Sequence, residues 1–212
     1  MIRRYFLGAG VWGGLLGGVL LCGGCGSRAV ETIENLKNIS ADEGYAARRY
    51  AEFSAQAEEE GLHNIANLFE ALACSERVHT EKNFEILEEY GDTLVGLRDS
   101  LLTRGRTLEN LAVTVRVKDS MAKTLLPAFA EAARRERAAD AARLLEWMGT
   151  VAERHVIYCQ RALVKLGRDG SDVNVINSWS VCPECGNLYY TTSLEENCAL
   201  CLTPASLFFL FQ

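Results

Sequence analysis

Four cysteines near the C-terminus constrain this chain most. Cys182-Pro183-Glu184-Cys185 and Cys198-Ala199-Leu200-Cys201 are two C-x-x-C knuckles separated by twelve residues. At that spacing two tight turns bring four thiolates to one point, the tetrahedral donor set of iron or zinc. A unit of roughly 35 residues buries too little apolar surface to fold on that alone, so the metal supplies much of its stability. Tyr189, Tyr190, Leu207, Phe208 and Phe209 are the residues expected to cover the site.

The rest reads as helix. Apolar residues recur in steps of three and four along four runs, the signature of helices with one buried face. Helix A, from Val30 to about Glu60, carries the stripe Leu36, Ile39, Glu43, Ala46, Tyr50, Phe53, Ala57. Helix B, from about Leu62 to Tyr90, carries Ile65, Phe69, Leu72, Glu76, His79, Asn83, Ile86. Helix C, from about Leu108 to Arg135, carries Leu111, Val115, Lys118, Met121/Ala122, Leu125, Phe129, Ala132, with Pro127 as a candidate kink. Helix D, from about Ala138 to Leu166, carries Ala141, Leu145, Met148, Ala152, His155, Cys159, Ala162, Leu166. Gly167 to Asn177 reads as a linker, and the long Thr93–Thr107 connection as a crossover of the bundle.

Polar residues inside these stripes are the informative exceptions. A buried ionised carboxylate needs a metal, a counter-charge or a hydrogen-bond network. Overlaying helices A and B on C and D reveals a repeat: Asn35-Leu36 matches Asn110-Leu111, and Val78-His79 falls near Arg154-His155. Two αα-hairpins about a pseudo-two-fold axis bring Glu43, Glu76, His79, Lys118 and His155 to one shared place. Cys74 and Cys159 read as small core residues.

The N-terminus belongs to neither unit. Arg3 and Arg4 precede an uncharged, glycine-interrupted stretch from Tyr5 to Cys25, which reads as an export signal or a single membrane anchor. Arg3-Arg4-Tyr5-Phe6-Leu7 looks like a twin-arginine motif, a route that exports folded proteins to the extracytoplasmic side. Cys22 and Cys25 hint at a lipoprotein site, although the residues before them fit it poorly. A net charge of −6 argues against a nucleic-acid partner, because phosphate binding needs a basic face.

The segment from Glu34 to His79, the Leu108–Ala133 run and the C-terminal cysteines together resemble a rubrerythrin. Trp179 and Cys-Pro-Glu-Cys-Gly look like the rubredoxin type, where the glycine after the second cysteine allows positive φ; Leu202 holds that place in the second knuckle. The resemblance implies an all-α fold: a ferritin-like four-helix bundle (30–167) with a small C-terminal rubredoxin-like metal ribbon (178–212) after a signal or anchor (1–25). It implies iron at Cys182, Cys185, Cys198 and Cys201, with zinc as the other metal such a set takes. It further implies electron transfer from that centre to a bundle site that reduces hydrogen peroxide, a redox partner protein, and a homodimer.

The family's two irons take one Glu from the first helix, Glu-x-x-His from the second, Glu-x-x-Glu from the third and Glu-x-x-His from the fourth. Glu43, Glu76 and His79 match the first half, as metal ligands and catalytic residues. Counted from Leu126-Pro127-Ala128-Phe129, the second half becomes Lys118, Met121, Ala152 and His155, so three of seven positions are lost, all carboxylates. Sliding the register to recruit Asp119 and Glu153 loses His155 and turns the stripe by about 100°. Three readings of the bundle stay open: two irons; one iron, zinc or manganese on Glu43, Glu76, His79 and His155; or a metal-free polar core neutralised by Lys118. The last leaves a non-enzymatic electron-transfer or metal-binding protein.

Overall fold

The computed structural model describes residues 29–93 and 102–212. The proposed signal or anchor and most of the expected crossover lie outside the described residues.

Five helices build the bundle: α1 (Val30–Glu59), α2 (His63–Glu89), α3 (Thr107–Ser120), α4 (Leu126–Arg135) and α5 (Ala139–Asp169). α3 and α4 form one rod joined by a π-helical turn, Met121–Leu125. There the Leu126 N–H reaches back to the Met121 carbonyl, an i→i−5 bond, immediately before Pro127, which has no N–H to give. The expected proline kink is therefore a widened turn. The extra residue rotates the following face: Leu126, Ala130 and Ala133 enter the core, while Leu125 and Phe129 from the regular stripe are only half-buried. Val115 likewise yields its place to buried Thr114. On α5 every residue of the predicted stripe is buried.

Distant carboxylates cap two helix starts. Glu136 accepts from the Glu31 and Thr32 N–H groups at 3.1 and 2.7 Å. Asp172 Oδ2 accepts from Asn64 and Ile65 N–H at 2.7 and 3.1 Å. Each satisfies donors that the first turn of a helix leaves open and opposes the positive end of its dipole. The linker is thus docked on α2, and it starts later than its glycine suggests: α5 continues through Gly167 to Asp169 and closes at Gly170 with φ 67°.

The C-terminal ribbon is a three-stranded antiparallel sheet, β1 (Trp179–Val181), β2 (Leu188–Tyr190) and β3 (Phe209–Phe211), in the order β2-β1-β3. It shares the bundle's core. Trp179 is buried among α1, α2 and α5 residues, and its ring, Tyr158 of α5 and Tyr190 lie with centroids 5.0 Å apart. Tyr158 also donates to the Leu188 carbonyl at 3.2 Å. Tyr189 and Phe208 cover the cysteines as expected, whereas Tyr190 faces the bundle and Leu207 and Phe209 are exposed.

Candidate metal centres

The four cysteine sulfurs converge. Cys182 Sγ lies 3.4 Å from Cys201 Sγ, and Cys185 Sγ lies 3.5 Å from Cys198 Sγ, all four within 4.8 Å of one another. Bonds of about 2.3 Å to a tetrahedral ion place sulfurs about 3.8 Å apart, so the set fits one ion. Tyr189 Oη lies 3.3 Å from Cys198 Sγ and Thr203 Oγ1 lies 3.1 Å from Cys201 Sγ, donors that stabilise thiolate charge. Cys198 is held far below the usual thiol range by hydrogen bonds from Cys182, Cys185 and Tyr189. Gly186 and Leu202 occupy matching places after each knuckle with φ 70° and 64°, so the second turn adopts the left-handed conformation despite its side chain.

The bundle places Glu43 on α1, Glu76 and His79 on α2, Lys118 on α3 and His155 on α5 in one cluster, none more than 1% exposed. Lys118 Nζ sits between two carboxylates, 2.8 Å from Glu43 Oε2 and 2.9 Å from Glu76 Oε1. His155 Nδ1 lies 3.2 Å from that same Glu76 oxygen, close but poorly directed for a hydrogen bond, and its Nε2 has no partner. His79 Nδ1 faces the other two oxygens, Glu76 Oε2 at 3.2 Å and Glu43 Oε1 at 3.7 Å.

Electrostatics distribute the protons. Burial raises the Glu43 carboxyl, and the neighbouring Glu76 charge raises it further against Lys118. Burial also opposes ionisation of Glu76, but Lys118, His155 and His79 overcome it and hold the group well below the usual range. His79 is pushed up to about 9, since hydrogen bonds to Glu43 and Glu76 outweigh its burial. His155 is lowered by burial, helped by the Lys118 and His79 charges. Lys118 stays charged, because the two carboxylates outweigh its desolvation.

His79 touches both centres. A backbone carbonyl only accepts, so Nε2–H donates to Cys185 O, 3.2 Å away, while Nδ1 faces the carboxylates. Two further contacts hold this junction: Ser75 Oγ donates to Gly186 O at 2.6 Å, and Lys82 pairs with Glu184 at 3.1 Å. A Cβ on Gly186 would lie 2.7 Å from His79 Nε2, so the glycine permits the close approach as well as the turn. Nothing in the sequence pattern pointed to Ser75 or to this second role of Gly186.

Glu43, Glu76 and His79 offer one ligand atom each within 4.8 Å, a group able to hold a metal ion; His155 lies beside Glu76 on the Lys118 side, outside that group. Met121 and Ala152, which stand where the resemblance implies carboxylates, are buried and carry none. With Lys118 on one oxygen of each carboxylate, the described residues do not fit a pair of ions. A pocket of about 270 Å³ between α1 and α3, lined in part by Tyr45, Tyr50, Val117 and Met121, reaches Lys118.

A ferritin-like four-helix bundle with a rubredoxin-like four-cysteine ribbon docked on it defines a class of two-centre iron proteins. The rubrerythrin family model matches residues 34–162, and the chain belongs to that family. It is similar to rubrerythrin-1 of Clostridium acetobutylicum, 26% identical over 185 residues, 85% of this chain and 94% of that protein. Rubrerythrin of Nitratidesulfovibrio vulgaris is 27% identical over 182 residues, 84% of this chain and 92% of that one. A solved structure of nigerythrin in a mixed-valence state has the same fold, with a TM-score of 0.75 at 24% identity over 85% of this chain and 86% of that one.

Proposed function

We propose that this is a rubrerythrin-like iron-binding redox protein that passes electrons from the ribbon centre to the bundle site, where hydrogen peroxide is reduced. The observation that carries the reading is His79: one ring spans the gap between the Cys185 carbonyl and the buried carboxylates. Cys182, Cys185, Cys198 and Cys201 would hold the iron, which supplies one-electron redox chemistry when bound. Tyr189 and Thr203 stabilise its sulfurs, and the ribbon's packing on α2 and α5 excludes water from the junction. A redox partner protein supplies two electrons per peroxide, which with two protons give two waters. The pocket lined by Tyr50 and Lys118 admits a small, uncharged oxidant as far as the lysine side of the cluster. The lost carboxylates favour a second reading, an electron-transfer protein without turnover.

We also propose that residues 1–25 direct the chain to the extracytoplasmic side, on the sequence pattern alone; among the described residues no helix is long and apolar enough to cross a membrane. A homodimer remains a proposal from resemblance.

Anaerobic reduction followed by mixing with hydrogen peroxide tests the main reading. The iron–thiolate colour should return with two electrons consumed per peroxide, and His79→Leu should slow that return roughly 10–100-fold. Equal rates in the two proteins would remove the bundle from the pathway and leave the second reading.

A further inference from the structure

We propose that the bundle takes a single divalent metal ion on Glu43 Oε1, Glu76 Oε2 and His79 Nδ1, with the Lys118 ammonium as a built-in cation in the place of a second. This deepens the reading of the bundle site given above and rests on it for the site's redox role, but the metal count stands on geometry alone.

The two carboxylates are divided between two positions. Glu43 Oε2 and Glu76 Oε1 both point at Lys118 Nζ, at 2.8 and 2.9 Å. Their other oxygens point at His79 Nδ1, at 3.7 and 3.2 Å. Each carboxylate thus bridges, as it would between two cations, and one of those cations is already covalently attached to α3. An ammonium has three donors and no acceptor, so it fills its position and offers a metal nothing.

The remaining donors agree with that division. On the Lys118 side, among the described residues, His155 has Nδ1 against Glu76 Oε1 and Nε2 without a partner, and no carboxylate comes from Met121 or Ala152. On the other side three ligand atoms converge, one imidazole nitrogen and two carboxylate oxygens. Such a set leaves open positions and suits iron(II), manganese(II) or zinc. His79 is already oriented for it: Nε2–H is donated to Cys185 O, and an incoming ion displaces the proton from Nδ1, which faces the two carboxylate oxygens.

Charge counting limits the number of ions. Lys118 and one divalent ion together set three positive charges against the two negative charges of Glu43 and Glu76. A second ion would bring five against two in a site with almost no solvent, where unpaired charge is most costly.

The test is an anaerobic titration of the full chain, ribbon iron in place, with manganese(II). Metal analysis should give one manganese per chain, with the six-line resonance of an isolated ion, while the iron–thiolate spectrum stays unchanged. Lys118→Glu combined with Ala152→Glu should raise the count to two and broaden the resonance, as for ions about 3.5–4 Å apart. Two manganese ions in the unaltered protein, or none, overturns the inference. The peroxide experiment counts electrons rather than bundle ions: a count of two overturns this inference and leaves the peroxide reading standing, and a count of none with peroxide turnover retained overturns this inference alone.

Discussion

Lys118→Met isolates the charge at the centre of the bundle, because methionine nearly matches the length and volume of lysine but carries no charge. In metal-free protein the ammonium lies within 2.9 Å of both Glu43 and Glu76, and all three side chains are buried. Removing one partner of a buried ion pair costs about 3–5 kcal/mol, since the other charge is left uncompensated. For a chain of this size each kcal/mol lowers Tm by about 2–4 °C, so the variant should melt about 6–20 °C below the parent in the presence of chelator. Protonation limits the loss. Burial and Glu76 already raise the Glu43 carboxyl, and without Lys118 it rises further. A carboxyl raised in the folded state stabilises at low pH and loses that stabilisation as pH climbs through its folded value. The deficit should therefore be largest above neutral pH and shrink toward pH 5. Adding Glu43→Gln to Lys118→Met should recover much of the loss, since a neutral amide needs no counter-ion. Circular-dichroism melts across that pH range decide it. A single variant melting within about 2 °C of the parent at pH 7.5 would refute the claim that Lys118 neutralises the cluster.

The ribbon junction and the helix cap give two further expectations. Gly186→Ala places a Cβ 2.7 Å from His79 Nε2 and 3.0 Å from the Ser75 carbonyl, and strains a backbone at φ +70° by about 1–2 kcal/mol. Hydrogen exchange should show faster opening of residues 178–212 with the bundle helices still protected; unchanged exchange in the ribbon would contradict the close approach. Asp172→Ala removes the acceptor for Asn64 and Ile65 N–H and should cost about 0.5–2 kcal/mol by denaturant titration, with Asp172→Asn in between. No loss in either variant would mean that α2 starts without its distant cap.

Much of the architecture follows from the sequence because it depends on short-range periodicity. Helical spacing put Glu43, Glu76, His79 and His155 in apolar stripes, and the structure brings them together with Lys118. Two C-x-x-C knuckles needed only their spacing to converge. The α3–α4 rod broke the rule for a local reason: the π turn before Pro127 adds a residue, and a strict 3.6-residue period then points to Leu125 and Phe129 where the core takes Leu126 and Ala130. The widened turn leaves no mark in the hydrophobic pattern before the fold is known.

By itself the sequence determined the helices and the four-sulfur site, since each depends on residue type at a fixed spacing along the chain, while the loss of carboxylates at Lys118, Met121 and Ala152 is what the resemblance implies. Only the tertiary structure decided which oxygens Lys118 takes, that His155 lies on the lysine's side of Glu76, and that His79 reaches Cys185, 106 residues away. Those contacts depend on the rotation of one helix against another and on where the ribbon comes to rest. Both are set by packing among residues distant in sequence, the Trp179–Tyr158–Tyr190 cluster and the Ser75–Gly186 bond among them.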